Sequence, residues 1–239
     1  MEHLHHSLGT LKDNLAADEA LLIGREENPA LGNILRTWSM DRVAVAMGSG
    51  GKLMEEVNYP VCRAEGVEMQ RRSSGGGTVL LGPGCLLFTL VMDLELDPSL
   101  ATVHSSYERI LEPLAQALSR PDREVRRQGI CDLAVGELKV SGNAQQRKRR
   151  FVLHHGTLLL DMDLGLLPRY LPEPPRQPEY RLGRPHGEFT LNLGLSQEEA
   201  IALLRQVYGA TSPGQPPEPD LVTRSLTDRF NDPTWLSRR

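Results

Sequence analysis

The segment from Gln70 to Gly84, Q-R-R-S-S-G-G-G-T-V-L-L-G-P-G, sets the tightest limit on how this chain can fold. Three successive glycines do not belong inside a helix or strand, where each costs about 0.5–1 kcal/mol relative to alanine. What glycine offers is positive φ and a backbone without Cβ, so that N–H groups can turn toward an anion and a ligand can lie against the main chain. With Arg71 and Arg72 alongside, the stretch reads in two ways. It is either a cradle for a carboxylate or phosphate, or a glycine hairpin with two solvated arginines.

The rest of the chain alternates strand and helix signals. Asp13 or Asn14 reads as the N-cap of a helix through about Ile23, with Leu15, Leu21 and Leu22 inward. Ile34 to Trp38 and Arg42 to Met47 read as strands. Thr78 to Leu81 and Cys85 to Asp93 read as a buried hairpin turned by Gly82-Pro83-Gly84. Tyr107, Ile110, Leu111, Leu114 and Leu118 form one helical stripe, which Pro113 should kink or restart. Gly136 to Val140 and Phe151 to Leu160 read as strands flanking the basic run Arg147 to Arg150. Six prolines between Pro168 and Pro185 argue for an extended surface connection, and Ser196 with Glu199 for a capping box. The expected architecture is α/β (α+β), a mixed β-sheet with helices mainly on one face. It forms one domain over residues 1–239, with a loose terminus at 1–12 and a proline-led segment with a short helix at 213–239.

A net charge of -4 gives no electrostatic case for nucleic acid. The N-terminus lacks an apolar h-region, and no run approaches the roughly 20 apolar residues of a membrane span, which points to the cytoplasm. Cys62, Cys85 and Cys131 are widely spaced, so neither a disulfide framework nor a zinc site is indicated. His3, His5 and His6 read as part of a frayed terminus. G-S-G-G-K at Gly48 to Lys52 fails as a phosphate loop on spacing, since Ala46 stands where the first glycine should be.

Three segments in order, R-R-S-S-G-G-G, K-V-S-G-N-A and H-H-G-T-L-L-L-D, together with N-L-A-A-D-E-A at Asn14 to Ala20, resemble the lipoate-protein ligase A family. The resemblance covers most of the chain and implies the biotin/lipoyl protein ligase catalytic-domain fold. It also implies a two-step reaction: ATP activates lipoate (or octanoate) as lipoyl-AMP, and a lysine of an acceptor lipoyl domain, such as a dehydrogenase E2 or glycine cleavage H protein, takes the acyl group. By the resemblance Lys139 is the catalytic cation, touching the acyl carbonyl and the α-phosphate, and Asp132 is the magnesium ligand. Substrate and adenylate contacts are expected from Arg71 or Arg72, Ser73, Gly75, Gly76, Gly77 and Thr78. Ser141, Gly142 and Asn143 should extend a phosphate-side loop, and His155, Gly156 and Thr157 should form the pocket floor. The run Arg147 to Arg150 is either a solvated turn or a steering patch near the adenylate.

Leu81 and Cys85 stand where many members of the family have histidine and asparagine. The chain also leaves no room for the family's C-terminal accessory domain, so it either completes both half-reactions alone or uses a separate accessory-domain protein. Two rival readings stay within reach of the motifs. One is an acyltransferase working through a thioester on Cys131, although the neighbouring carboxylate of Asp132 should raise that thiol's pKa. The other is a non-catalytic subunit that binds lipoyl domains. Biotin ligase is disfavoured because its G-R-G-R-x-G loop is missing.

Overall fold

The computed structural model describes residues 1–238. Strand β1 (Glu2–His5) leads into helix α1 (Leu11–Glu27), β2 (Ile34–Ser39) and β3 (Ala44–Met47). Two short helices, α2 (Leu53–Glu56) and α3 (Tyr59–Ala64), precede β4 (Glu68–Arg71), β5 (Val79–Leu81), β6 (Cys85–Asp93) and the long helix α4 (Val103–Leu118). Strands β7 (Val125–Gln128), β8 (Asp132–Val135), β9 (Leu138–Arg147) and β10 (Phe151–Leu159) follow. The chain ends through α5 (Leu167–Tyr170), α6 (His186–Phe189), α7 (Gln197–Val207), β11 (Ser212–Pro213), α8 (Pro219–Ser225) and α9 (Pro233–Ser237).

Eight strands form one mixed sheet in the order β11-β1-β2-β6-β10-β9-β8-β7, and β4-β3-β5 form a second, smaller sheet. Strand β6 is buried along its whole length and its alternate residues serve opposite faces. Leu86, Phe88, Leu90 and Met92 meet Ile110, Leu111 and Leu114 of α4, while Val91 meets Leu21 and Leu22 of α1. The mixed sheet is the expected one. Its helices, expected mainly on one face, are divided: α4 and α7 cover one side, and α1 backed by α8 covers the other.

Helix α1 is buried almost all round because it lies between the two sheets. Its cap is Thr10, whose Oγ1 accepts from Asp13 N, rather than Asp13 or Asn14. Asn14 is drawn inward, donating to the carbonyls of Leu8 and Thr10 and accepting from Arg36 Nη2 at 2.6 Å. Arg36 also meets Asp18 Oδ1 at 2.6 Å, and Thr89 donates to Asp18 Oδ2. A buried ion pair fixes register more surely than it adds stability; here it sets how α1 seats on β2 and β6.

Four expectations change. The N-terminus is not loose: β1 pairs in parallel with both β2 and β11, and His3 and His5 both hydrogen-bond Thr37 Oγ1. Strands β5 and β6 are not a hairpin. Gly84, at φ 80, carries the chain from one sheet to the other, with its Cα so close to Asp161 that a Cβ would lie 2.1 Å from that carbonyl oxygen. Helix α4 does not restart at Pro113 but continues through it, with its apolar stripe held against the sheet. The segment 213–239 holds two helices, with α8 packed on α1 and α9 on β4.

Candidate active site

A cleft opens between the pocket-facing side of β6, β9 and β10 and the loop that joins β4 to β5. Its inner end is apolar, lined by Leu15, Trp38, Val79, Leu81 and Leu87. Its outer end is polar, with Cys131, Asp132, Lys139 and Gly142. The glycine loop, through Arg72, Gly76, Gly77 and Thr78, forms one wall.

That wall is stitched from inside. Arg72 is buried and donates to the carbonyls of Ala46, Gly75 and Gly77 and to Ser74 Oγ, so it clamps the loop rather than offering a free guanidinium. Burial brings its pKa down to about 10. Gly76 sits at φ 86 and its carbonyl presses on Gly48, where a Cβ would lie 1.8 Å from the oxygen. The Gly48 to Lys52 loop is thus the backing of the glycine wall: Ser49 N donates to Ser74 O at 2.8 Å, and Thr78 Oγ1 to Glu56 at 2.6 Å. Arg71 points away, as strand alternation requires. It donates to the carbonyls of Gly48, Ser49 and Gly51 and to those of Trp235 and Leu236 in α9.

The polar end is built on the β8–β9 hairpin, which turns at Gly136 with φ 57. Lys139 Nζ lies 2.8 Å from Asp132 Oδ1. The other oxygen, Oδ2, accepts from Tyr180 OH at 2.9 Å. Gly142 leaves room for the lysine, since a Cβ there would lie 3.0 Å from Nζ. Ser141, Gly142 and Asn143 are not a loop, as expected from the resemblance, but the middle of β9. Ser141 turns to the opposite face. Asn143 borders the pocket, yet its amide is engaged behind the sheet, donating to Cys131 O and Ser141 Oγ and accepting from His154 Nε2.

His154 and His155 diverge. His155 lines the pocket with Nε2 2.5 Å from Ser74 Oγ, and burial, Arg72 and His154 all push its pKa well below the ordinary value. His154 is fully buried between Phe88 and Tyr107, and burial takes its pKa down to about 3. Gly156 lines the pocket, and a side chain there would run into the sheet: a Cβ would lie 2.0 Å from Asn143 Oδ1 and 2.7 Å from the Phe88 ring. Thr157 Oγ1 faces the cleft beside Gly142. Among the other expected residues, Ser73 donates to Gln146 at 2.5 Å, and Gly75 stands outside the lining.

The basic run is anchored elsewhere. Arg147 donates to Ser106 Oγ and to the carbonyls of Leu100 and Ala101, and Arg150 pairs with Asp93 at 2.8 Å. From Ala144, the last residue of β9 in the lining, to Arg147 is three residues, about 10 Å of strand, and none of Arg147 to Arg150 lines the pocket. Asp132 is the one carboxylate in the pocket lining, with Oδ1 on Lys139 and Oδ2 on Tyr180, so a magnesium ion brought in on phosphate oxygens would use it only by displacing one of those contacts.

Sequence reasoning did not name the residues of the apolar end, nor Tyr180. Leu15, Trp38 and Leu87 carry ordinary core signals, and Tyr180 is 48 residues from Asp132, to which it donates.

The site is thus an apolar slot between two sheets, with a lysine at its polar end and a glycine wall. The same fold is found in a crystal structure of lipoate-protein ligase A bound with ATP, at a TM-score of 0.82 with 21% identity, covering 99% of this chain and 98% of that one. A bi-partite lipoate protein ligase from Thermoplasma acidophilum, solved in a study with its E2 lipoyl domain, matches at 0.78 with 21% identity, covering 99% of this chain and 95% of that one. The family model for the lipoyl protein ligase A/B catalytic domain matches residues 10–184. The chain belongs to that family. Lipoate--protein ligase 1 of Staphylococcus aureus is 31% identical over 153 residues, which are 63% of this chain and 43% of that protein. Octanoyltransferase LipM of Symbiobacterium thermophilum is 32% identical over 192 residues, 71% of this chain and 69% of that one. The match thus spans less than half the length of the Staphylococcus ligase. No helix among the described residues is long and apolar enough to cross a membrane.

Proposed function

We propose that the chain is the catalytic part of an ATP-dependent lipoate-protein ligase, which joins lipoate or octanoate to AMP and passes the acyl group to a lysine of an acceptor lipoyl domain. The observation that carries this reading over acyl transfer through a thioester is the state of the pocket thiol. Cys131 lines the polar end, but its thiol donates to Asn143 O at 2.9 Å, and burial and then Asp132 raise its pKa. A thioester route needs a thiolate. Cys85 is pushed up to about 12 by burial and lies outside the lining.

In this reading the acyl chain occupies the apolar end and its carboxylate reaches Lys139. The lysine's positive charge offsets the charge that develops at phosphorus and later at the acyl carbonyl. Gly76, Gly77 and Thr78 present backbone to the adenylate, and His155, held neutral, adds no charge to the anionic intermediate. Magnesium would enter on the oxygens of the triphosphate.

The test is incubation with lipoate, magnesium ATP and an apo lipoyl domain, read by intact mass. An ATP-dependent gain of one lipoyl group is expected. Transfer from an acyl carrier protein without ATP, together with an acyl-thioester trapped on Cys131 and lost in Cys131→Ser, would move the chain to the transferase class. ATP-pyrophosphate exchange by the purified protein, set beside transfer from synthetic lipoyl-adenylate, tells whether activation needs a separate accessory protein.

A further inference from the structure

Tyr180 belongs to none of the segments that carry the family resemblance. It lies in the proline-rich stretch after β10, in the single helical turn Glu179–Arg181, and yet its hydroxyl reaches Asp132 Oδ2 at 2.9 Å. Much of the local structure serves that aim. Arg184 donates to Tyr180 O, to Arg181 O and to Glu137 O, tying the turn to the β8–β9 hairpin. Arg181 is buried, pairs with Glu173 and lies over the Phe189 ring, whose centroid is 5.1 Å from that of Tyr180. Gly129 packs on the edge of the Tyr180 ring. The next residue but one, Leu182, is the one non-glycine among the described residues with positive φ, at 54, and its side chain is exposed. Strain of this kind persists only where the surroundings impose it.

The consequence falls on Lys139. A lysine ammonium rides on a flexible stem and its position is set by what it pairs with. Its ion-pair partner here is Asp132 Oδ1. A carboxylate held by one contact can rotate; held through both oxygens it cannot. We propose that Tyr180 is a positioning residue for acyl-adenylate formation, fixing the plane of Asp132 and, through it, the place of Lys139 at the mouth of the pocket. This rests on the ligase reading. Tyr180 touches neither substrate nor the reacting atoms; it acts on the geometry of the pair, so its loss should slow the step that uses Lys139 and leave the apolar end of the pocket unaffected.

The experiment is ATP-pyrophosphate exchange and single-turnover transfer by wild type, Tyr180→Phe, Asp132→Asn and the double variant, with thermal melting of each. Phenylalanine keeps the ring against Phe189 and Gly129 and removes only the hydroxyl. The expected result is a kcat for exchange lowered about tenfold, or about 1.4 kcal/mol of barrier, with the KM for lipoate unchanged and the melting point lowered by no more than the loss of one hydrogen bond. In the Asp132→Asn background the same substitution should have little further effect, because the two act in one chain of contacts. A Tyr180→Phe enzyme equal to wild type overturns the inference while the ligase reading stands. Additive effects in the double variant, or a loss that appears as raised KM and lowered melting point together, reduce Tyr180 to a structural residue and also overturn it. A wild-type protein with neither exchange nor transfer refutes the ligase reading, and the inference falls with it.

Discussion

Arg71 and Trp235 hold each other reciprocally: Trp235 Nε1 donates to the Arg71 carbonyl at 2.6 Å, and Arg71 Nε donates to the Trp235 carbonyl at 2.9 Å. Two residues before the serine-glycine wall, the chain is therefore fastened to its last helix. Trp235→Phe keeps a ring between Arg229 and Arg238, which lie 4.8 and 5.2 Å from its centroid, and loses the N–H. One hydrogen bond is worth about 1 kcal/mol. The expected outcome is a loss of that order in urea unfolding, with weaker lipoate binding by calorimetry; unchanged affinity would mean that the wall does not depend on α9.

Lys139→Ala should leave the fold intact, because the buried Asp132 keeps its hydrogen bond from Tyr180 OH when the lysine is removed. Removing one donor to a developing oxyanion typically costs about 100- to 1,000-fold in kcat. Pyrophosphate release should fall by that order, and release near the wild-type rate would end the assignment.

Gly76 and Gly75 give a paired test. At φ 86 an alanine at 76 is strained by about 1–2 kcal/mol, and its Cβ would lie 2.9 Å from Arg72 Nη2. Gly76→Ala should therefore lower both the melting point and lipoate affinity. Gly75→Ala meets nothing within 4 Å and should change neither. Equal behaviour of the two variants would show that the wall tolerates a side chain at either position.

His154 should make the protein acid-sensitive. Burial takes its pKa from the ordinary 6.5 to about 3, so between those values the unfolded chain binds a proton on this residue that the folded chain does not. Stability then falls as pH drops through that window, by up to about 1.4 kcal/mol per unit, and is fully present above 6.5. His154→Gln keeps a donor toward Asn143 and removes the titration. Urea midpoints at pH 7 and pH 5 should lie closer together in the variant than in wild type; equal gaps would place the acid sensitivity elsewhere.

Local signals decided what the sequence could tell. The stripe of α4, the capping box of α7 and the apolar runs of β6 and β10 are legible because the burial of each is written in residues a few places apart. So were Lys139, Asp132 and Gly76, carried by compact motifs. Three successive glycines announced a backbone wall before any contact was known. What the sequence left open were choices between distant partners: which sheet β5 joins, whether residues 2–5 pair or fray, and where each arginine's donors go. Arg71 and Arg72 are alike as letters. One clamps the ligand wall and the other ties it to α9, because alternation along β4 sends them to opposite sides and the chain 164 residues later supplies the carbonyls. Tyr180 shows the same limit, since a phenol in a proline-rich stretch acquires its meaning only when the fold brings Asp132 within hydrogen-bonding reach. The residue types and their local spacing set the chemistry available, while the long-range closure of the chain, whose contacts no local pattern encodes, decided which groups meet.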